Sequence, residues 1–488
     1  MTSTFAARHP TVAGTAAAEA VRSATGGRET LLVTNPADGS EVGRVPIAGS
    51  EEVDAAVATA HAALPTWRRT DPAERGRLLR EAASAVADAA ERLADLQHRE
   101  TGRPLAEALA GARAGAGTLA QYAELGPLHR GRSLLGGWDA TDLMTPEPYG
   151  VVVALTPWND PVAIACGLVG AAVVTGNTAI HKPSEKCPHT GLLLNELICE
   201  VLPRGVLVSL CGDGLVGAQL AGHPGVQLVA HVGSTATGRS IAESASRTGA
   251  KALLENGGND PLLVDEGVDP RWAAEQAAVG AFTNAGQICT SVERIYVHRR
   301  LADEFVEALA AQARRRVREP ARPEEIEMGP LVDVGQRERV HAHVADAVRS
   351  GARVLVGGEV PEGPGAHYPA TVLTDCVPGM TVLREETFGP VAPVRVVDDF
   401  AQGLAEAAED RYGLAATVLT PSMAHAQLAW RELPVGTVKV NAVFGGAPGG
   451  AAQPRGASGT GYGYGPELLD EMTRTKVVHM GLPRTGSR

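Results

Sequence analysis

The chain has no C-x-x-C pair and no His-rich spacing. Its six cysteines, at 166, 187, 199, 211, 289 and 376, are scattered through 488 residues. That pattern excludes a disulfide framework and a zinc-ligand array, so free thiols in a reducing, cytoplasmic compartment are expected and no metal site is. Long hydrophobic runs are missing too. The most apolar segment, Ala163 to Val174, holds two glycines and falls short of the roughly 20 residues of a membrane span. It reads as a buried helix, and no membrane partner is expected. There is no long Lys/Arg cluster with interleaved aromatics, and a net charge of −12 with a pI near 5.7 gives no general attraction to phosphate backbones. Nucleic acid is therefore not an expected partner. Residues 1–28 lack the continuous apolar centre of a secretory signal and read as a mobile arm. No repeat of fixed period is present.

The remainder describes a soluble multidomain protein. Hydrophobic residues at 44% and charged residues at 20% are ordinary for globular chains, and the length exceeds what one hydrophobic core serves. Asn35-Pro36-Ala37-Asp38-Gly39 predicts a turn. A helical pattern follows from Glu51 to about Ala63, and Asp71-Pro72 starts another that carries Leu78, Leu79, Ala82 and Val86. From Gly150 the texture changes to short β-branched runs alternating with helices: Val151 to Leu155, Thr178 to His181, Val206 to Leu210 and Gln227 to Val232. Strands separated by helices predict a parallel sheet covered on both faces. A second series follows: Pro261 to Val264, Glu293 to Val297, Ala352 to Val356, Ala392 to Val397, Ala415 to Leu419 and Thr437 to Val440. Gly445 to Gly465 holds nine glycines and two prolines and predicts a long irregular loop of the kind that borders sites.

Cys289 lies in Asn284-Ala285-Gly286-Gln287-Ile288-Cys289, with Glu255-Asn256-Gly257-Gly258 upstream. A thiol that is partly thiolate near neutral pH attacks carbonyls, and a carboxylate can deprotonate the water that releases the product. The pair fits oxidation of an aldehyde to an acid. Thr156-Pro157-Trp158-Asn159-Asp160-Pro161 follows a strand, with prolines fixing the backbone around Asn159; that amide is an oxyanion donor or a turn former. Gly212-Asp213-Gly214-Leu215-Val216-Gly217 matches a dinucleotide fingerprint but lacks its acidic ribose partner. Gly233-Ser234-Thr235-Ala236-Thr237-Gly238 is a phosphate-binding turn or a helix cap. Lys182-Pro183-Ser184-Glu185 stands where open α/β sheets bind ligands, and could hold ribose hydroxyls.

In chain order these residues resemble the aldehyde dehydrogenase superfamily, from about Asn35 to Val478. Further matching motifs are Glu100-Thr101-Gly102-Arg103-Pro104, Met328-Gly329-Pro330-Leu331, Glu385-Glu386-Thr387-Phe388-Gly389-Pro390-Val391 and Tyr412-Gly413-Leu414-Ala415. The resemblance implies two Rossmann-like parallel-sheet α/β domains and a small β element. The coenzyme domain is expected at 1–125 and 149–256, the catalytic domain at 257–457, and a bridging element at 126–148 and 458–488 that pairs subunits into a homodimer or homotetramer. It further implies Cys289 as nucleophile, Asn159 and the Cys289 N–H as oxyanion donors, and Glu255 as the base that activates water. Lys182, Ser184, Glu185, Gly233, Ser234, Trp158, Glu386 and Phe388 would hold the coenzyme. Because a carboxylate accepts a ribose 2′-hydroxyl and repels a 2′-phosphate, Glu185 favours NAD over NADP. The presence of Glu255 favours water over coenzyme A as acyl acceptor.

Five departures bear on substrate and site. Asp160 stands where an aromatic is common, and Gly167 replaces a bulky aromatic. The helix at 110–117, expected to line the opposite wall, is Ala and Gly apart from Arg113. With Ile288 and Thr290 beside the nucleophile, these predict a wide, polar tunnel for a bulky, hydroxylated or amino-bearing aldehyde. Asn256 replaces a leucine, and either hydrogen-bonds Glu255 or satisfies backbone. The late motif is degraded to Gln453-Pro454-Arg455-Gly456-Ala457-Ser458-Gly459. Two other functions fit the same residues less well: an esterase or acyl-transfer use of the thiol without redox, and a non-catalytic binding member.

Overall fold

Asn35 closes the predicted turn with its own side chain, its Oδ1 accepting the Ala37 N–H at 2.9 Å. The flanking residues pair as an antiparallel hairpin of β1 (Thr30–Thr34) and β2 (Glu41–Pro46). The computed structural model describes residues 29–316, 327–445 and 453–483; the arm expected at 1–28 and residues 446–452 of the glycine-rich segment lie outside them. Four helices follow the hairpin: α1 (Ser50–Trp67), α2 (Pro72–Asp88), α3 (Ala90–Thr101) and α4 (Leu105–Leu125). α1 runs beyond its predicted end near Ala63 because buried Trp67 anchors it, the indole Nε1 donating to Val173 O at 2.9 Å. Asp71 caps α2 through the Ala73 N–H, with Pro72 in the first turn, where a missing N–H costs nothing.

After β3 (Arg132–Leu134) and β4 (Ala140–Pro148) the first α/β series unfolds: β5 (Val151–Leu155), α5 (Pro161–Val174), β6 (Thr178–Lys182), α6 (Pro188–Cys199), β7 (Leu207–Ser209), α7 (Gly214–Ala221), β8 (Leu228–Val232), α8 (Thr235–Thr248) and β9 (Lys251–Glu255). The strands lie in the order β9-β8-β5-β6-β7, all parallel. On β5, Val152 and Ala154 enter the core on one face, and Val151, Val153 and Leu155 the core on the other. Burial on both faces is why this strand reads as an unbroken apolar run. β9 has no such signature. Its Lys-Ala-Leu-Leu-Glu sequence is helix-prone, and pairing along β8 makes it a strand.

The second series comprises β10 (Asp260–Val264), α9 (Pro270–Phe282), β11 (Val292–His298), α10 (Ala302–Arg316), α11 (Val334–Arg349), β12 (Arg353–Val356), β13 (Thr371–Thr374), β14 (Val391–Val397), β15 (Tyr412–Gly413), β16 (Ala415–Leu419) and β17 (Thr437–Val440). The larger strands form a sheet ordered β12-β13-β14-β11-β10-β16-β17. Its edge departs from the all-parallel expectation, since β13 was not anticipated and β12 runs antiparallel to it. The connection between them contains no helix to carry a parallel crossover.

The expected irregular loop is pinned by two short pairings. β18 (Arg455–Gly456) lies against β15, and β19 (Gly459–Thr460) runs antiparallel to β9, with Gly459 opposite Glu255. Finally β20 (Thr473–Gly481) joins β4 and β3 in a small three-stranded sheet. The chain thus has two Rossmann-like α/β domains and a small β element. β9 ends at Glu255 and β10 begins at Asp260, so the carboxyl edge of the first sheet meets the amino edge of the second. The functional residues gather at that seam.

Asn177 fastens the first domain to the approach to β20. Fully buried, it accepts the Gly150 N–H and donates to the Met472 carbonyl, both at 2.9 Å. Asn177→Ala leaves these groups unpaired and is expected to cost about 1–3 kcal/mol, seen as a lower urea midpoint; an unchanged midpoint would remove the fastening from the account.

Candidate active site

The loop that carries Cys289 begins where α9 ends. Asn284 (φ 48°), Ala285 (φ 54°) and Gly286 (φ 71°) take left-handed conformations in succession. Only glycine fits at 286, since a Cβ there would lie 2.1 Å from the Gly389 carbonyl oxygen. The two non-glycine residues store strain of about 1–3 kcal/mol each, which the surroundings must hold. Buried Gln287 does so: Nε2 donates to Asn284 O at 3.0 Å and Pro330 O at 3.4 Å, while Oε1 accepts the Val332 N–H at 2.9 Å. Cys289 follows this turn and precedes β11. Asn159, just past β5, donates its Nδ2 to the Gln287 carbonyl at 3.1 Å. Glu255 stands at the end of β9, its carboxylate without a hydrogen-bond partner among the described residues.

Electrostatics correct one expectation. Removal from bulk water, then Glu255, Asp260, Glu386 and Asp160 in turn, push the Cys289 thiol well above the ordinary cysteine range. The resting sulfur is a thiol, not the partial thiolate expected of a free cysteine. Burial likewise raises the Glu255 pKa, which suits a carboxylate that must take up a proton.

Two cavities meet at these residues. One, of about 650 Å³, is walled by Trp158, Val232, Gly233, Ser234, Glu386 and Phe388. The other, of about 1000 Å³, is walled by Asp160, Gly167, Ile288, Phe444, Tyr464 and Arg103. Asn159, Ile164, Glu255 and Cys289 line both. In the first, Ser234 caps α8 by accepting the Thr237 N–H at 3.2 Å, so the cap and the cavity wall are one feature. Glu386 accepts the Gly258 N–H at 2.9 Å, and burial pushes its pKa up to about 7. Phe388 (φ 53°) meets Trp158 edge to face at 5.5 Å.

The rest of the expected set is placed differently. Lys182, Ser184 and Glu185 follow β6 along the same carboxyl edge but line neither cavity; the Lys182 ammonium donates to Pro183 O and Gly212 O, both at 2.8 Å. The Gly212–Gly217 fingerprint is a capped helix start, because the Asp213 carboxylate takes the Leu215 and Val216 N–H groups that a phosphate would need. Arg113 is exposed on α4, and the small residues beside it serve helix packing: Gly111 makes room for Asp160, and Gly115 for Val162 and Cys166. Thr290 is not a wall residue of either cavity. Asp160 does face the substrate cavity, yet its charge is met by Arg103 Nη1 at 2.9 Å. Asn256 satisfies backbone, donating to Ala457 O at 3.2 Å.

Sequence reasoning missed several contributors. Buried Glu293 accepts the Thr387 N–H at 3.1 Å and the Phe388 N–H at 3.0 Å, holding the loop that carries Glu386. The adjacent charges Glu293 and Arg294, both buried in an otherwise apolar strand β11, were the available signal. Gln336 and Arg339 reach the same loop from α11, donating to Phe388 O at 2.8 Å and Glu386 O at 3.1 Å. Tyr464 stands opposite Gly167, with its hydroxyl 3.0 Å from that of Thr118.

The smaller cavity fits a nicotinamide dinucleotide by its donor set: a helix N-terminus for phosphate, a carboxylate for ribose, and Gly233 and Gly257 kept clear where side chains would strike His231 and Glu386. Among the described residues no cluster of three or more His, Cys, Asp or Glu side chains could hold a metal, and no helix is long and apolar enough to cross a membrane. A thiol, an amide and a carboxylate thus lie between two chambers, one of which has a donor set suited to a dinucleotide. The aldehyde dehydrogenase family model matches residues 22–478, and the chain belongs to that family of NAD(P)-dependent enzymes. It is 34% identical over 460 residues to the NADP(+) succinate-semialdehyde dehydrogenase of Escherichia coli, covering 93% of this chain and 95% of that one. It is 35% identical over 463 residues to betaine aldehyde dehydrogenase of Cereibacter sphaeroides, covering 93% and 94%. Among solved structures, lactaldehyde dehydrogenase from Escherichia coli gives a TM-score of 0.90 at 31% identity over 93% of this chain and 96% of that one. The NAD-dependent aldehyde dehydrogenase from Sinorhizobium meliloti gives 0.91 at 32% over 95% and 93%.

Burial pushes Glu293 up to about 8, with Glu386 next in effect and the Phe388 and Thr387 N–H groups opposing. A carboxyl whose folded pKa exceeds its unfolded value contributes stability that is complete below about pH 4.5 and lost as pH rises through about 8. The melting temperature is therefore expected to fall across that window. Glu293→Gln should flatten the upper part of the decline; a variant curve parallel to that of the wild type contradicts the assignment.

Proposed function

We propose that this chain oxidises a polar or bulky aldehyde to the carboxylic acid, using NAD in preference to NADP and water as acyl acceptor. The observation that carries this reading is the sharing of Cys289, Asn159 and Glu255 by both cavities. A bound nicotinamide dinucleotide supplies the hydride acceptor and a positive ring charge in the chamber that holds the sulfur. From the other chamber the aldehyde presents its carbonyl carbon to Cys289, and a carbon–sulfur bond forms as the thiol proton passes through water to bulk solvent, leaving Glu255 unprotonated for the later step. The Asn159 amide and the Cys289 N–H stabilise the resulting oxyanion. Loss of hydride leaves a thioester on Cys289. Glu255 then takes a proton from water, the hydroxide displaces the thiolate, and the acid departs.

The thiol, held protonated first by removal from bulk water and then by neighbouring acidic side chains, gains a counter-charge when the oxidised coenzyme is present. Alkylation of Cys289 by iodoacetamide near pH 7 is thus expected to accelerate on adding NAD; deceleration with no coenzyme-dependent activation would contradict this. Cys289→Ser should abolish NADH formation, and Asn159→Ala should lower kcat by about 10²–10³; retention of either activity refutes the assignment.

Glu185 supports NAD over NADP. Its carboxylate lies 4.0 Å from the Lys182 ammonium at the edge where ribose would sit. Glu185→Gln is expected to narrow the NAD to NADP ratio of kcat/KM, and a ratio unmoved by the change points elsewhere. For the substrate, the Arg103–Asp160 pair and the Tyr464 hydroxyl favour hydroxylated or amino-bearing aldehydes. Hexanal oxidised far better than every polar aldehyde, with the ranking unchanged in Asp160→Phe, would sink that part. The three-stranded sheet and the fully exposed Leu135 and Trp138 support assembly into a homodimer or homotetramer. Six free thiols support a reducing, cytoplasmic setting.

A further inference from the structure

The segment leading into α4 reaches the proposed oxyanion donor. Arg103 Nη1 donates to the Asn159 carbonyl at 3.0 Å and pairs with Asp160 at 2.9 Å. Four residues on, in the first turn of α4, Glu107 Oε2 lies 3.8 Å from Arg103 Nε, an ion pair longer than a hydrogen bond. The Arg103 side chain is only 11% exposed, so bulk water cannot replace these contacts. Room for them is built in, since a Cβ at Gly111 would come within 2.7 Å of Asp160 Oδ1.

Asn159 is otherwise held toward the nucleophile by one bond, its amide to Gln287 O. That bond fixes the tip of the side chain but not the Asn159 carbonyl. A guanidinium on that carbonyl fixes it. The Glu107 carboxylate, four residues on, flanks the guanidinium and orients it.

We propose that Arg103, oriented by Glu107, is a positioning residue that holds the Asn159 backbone so that its amide faces the Cys289 turn. The proposal rests on Asn159 being an oxyanion donor. Displacing a donor by about 1 Å can cost on the order of 10²-fold, and the clamp acts on orientation without touching the coenzyme chamber.

The test compares Arg103→Gln, Arg103→Lys, Glu107→Gln, Asn159→Ala and the Arg103→Gln/Asn159→Ala double variant. For each, kcat and KM for the best aldehyde are measured, with the NAD dissociation constant by titration calorimetry. Arg103→Gln is expected to lower kcat by roughly 30- to 100-fold with the NAD constant within about twofold of wild type. Lysine, a single point donor, should restore part of the loss, and Glu107→Gln should lower kcat about threefold to tenfold. In the double variant, the arginine change should add nothing to Asn159→Ala. Additive losses, an unchanged kcat in Arg103→Gln, or a parallel collapse of kcat, NAD binding and melting temperature would overturn the clamp. If Arg103→Gln does not fold, Arg103→Lys and Glu107→Gln decide, and wild-type kcat in both overturns it. Full activity in Asn159→Ala would instead refute the oxyanion reading itself.

Discussion

The Asn159 amide bridges the two domains at the point where the proposed chemistry occurs. Asn159, carried past β5 of the first sheet, reaches the Gln287 carbonyl at 3.1 Å in the turn that presents Cys289 before β11 of the second. Everything else in the site is arranged around that junction. Gln287 holds the left-handed turn together, Glu293 holds the facing loop with Glu386 and Phe388, and Glu255 closes the seam where one sheet passes into the next. The arrangement concentrates strain and buried charge in one place, and packed cores on both faces of each sheet supply the rigidity that sustains it.

Buried acidity gives the site its chemical character. Removal from bulk water, reinforced by Glu255, Asp260, Glu386 and Asp160, holds the proton on the sulfur, and a positive charge entering the adjoining chamber would oppose that. In the proposed cycle this makes reactivity conditional on coenzyme, so the nucleophile is protected from adventitious oxidation until its partner arrives.

Much of the architecture was legible because the central strands are buried on both faces. Val151 to Leu155 and Ala415 to Leu419 announced themselves as apolar runs with the boundaries the structure has. β9 and β13 escaped notice for the opposite reason, since their residues become strands by pairing rather than by pattern. The chemical residues were visible as motifs, but the contacts that organise them were not. Glu100-Thr101-Gly102-Arg103-Pro104 and Met328-Gly329-Pro330-Leu331 looked like separate signatures; in the fold Gly102 (φ 74°) abuts Pro330, and Glu100 caps α6 through the Thr190 N–H at 2.8 Å. Spacing along the chain cannot reveal such long-range partners. It also placed Arg113 and Thr290 on the wall of the larger cavity, where Arg103 and Tyr464 stand beside the expected Asp160, Gly167 and Ile288.

The proposed cycle depends on an acyl group residing on one sulfur until an adjacent carboxylate activates water. Intact-protein and peptide mass spectrometry of Glu255→Gln, mixed with NAD and a reactive aldehyde, tests this directly. The account predicts about one equivalent of NADH per site and an acyl adduct confined to Cys289 that clears slowly. Sustained turnover without an adduct, or acylation at another cysteine, would contradict it.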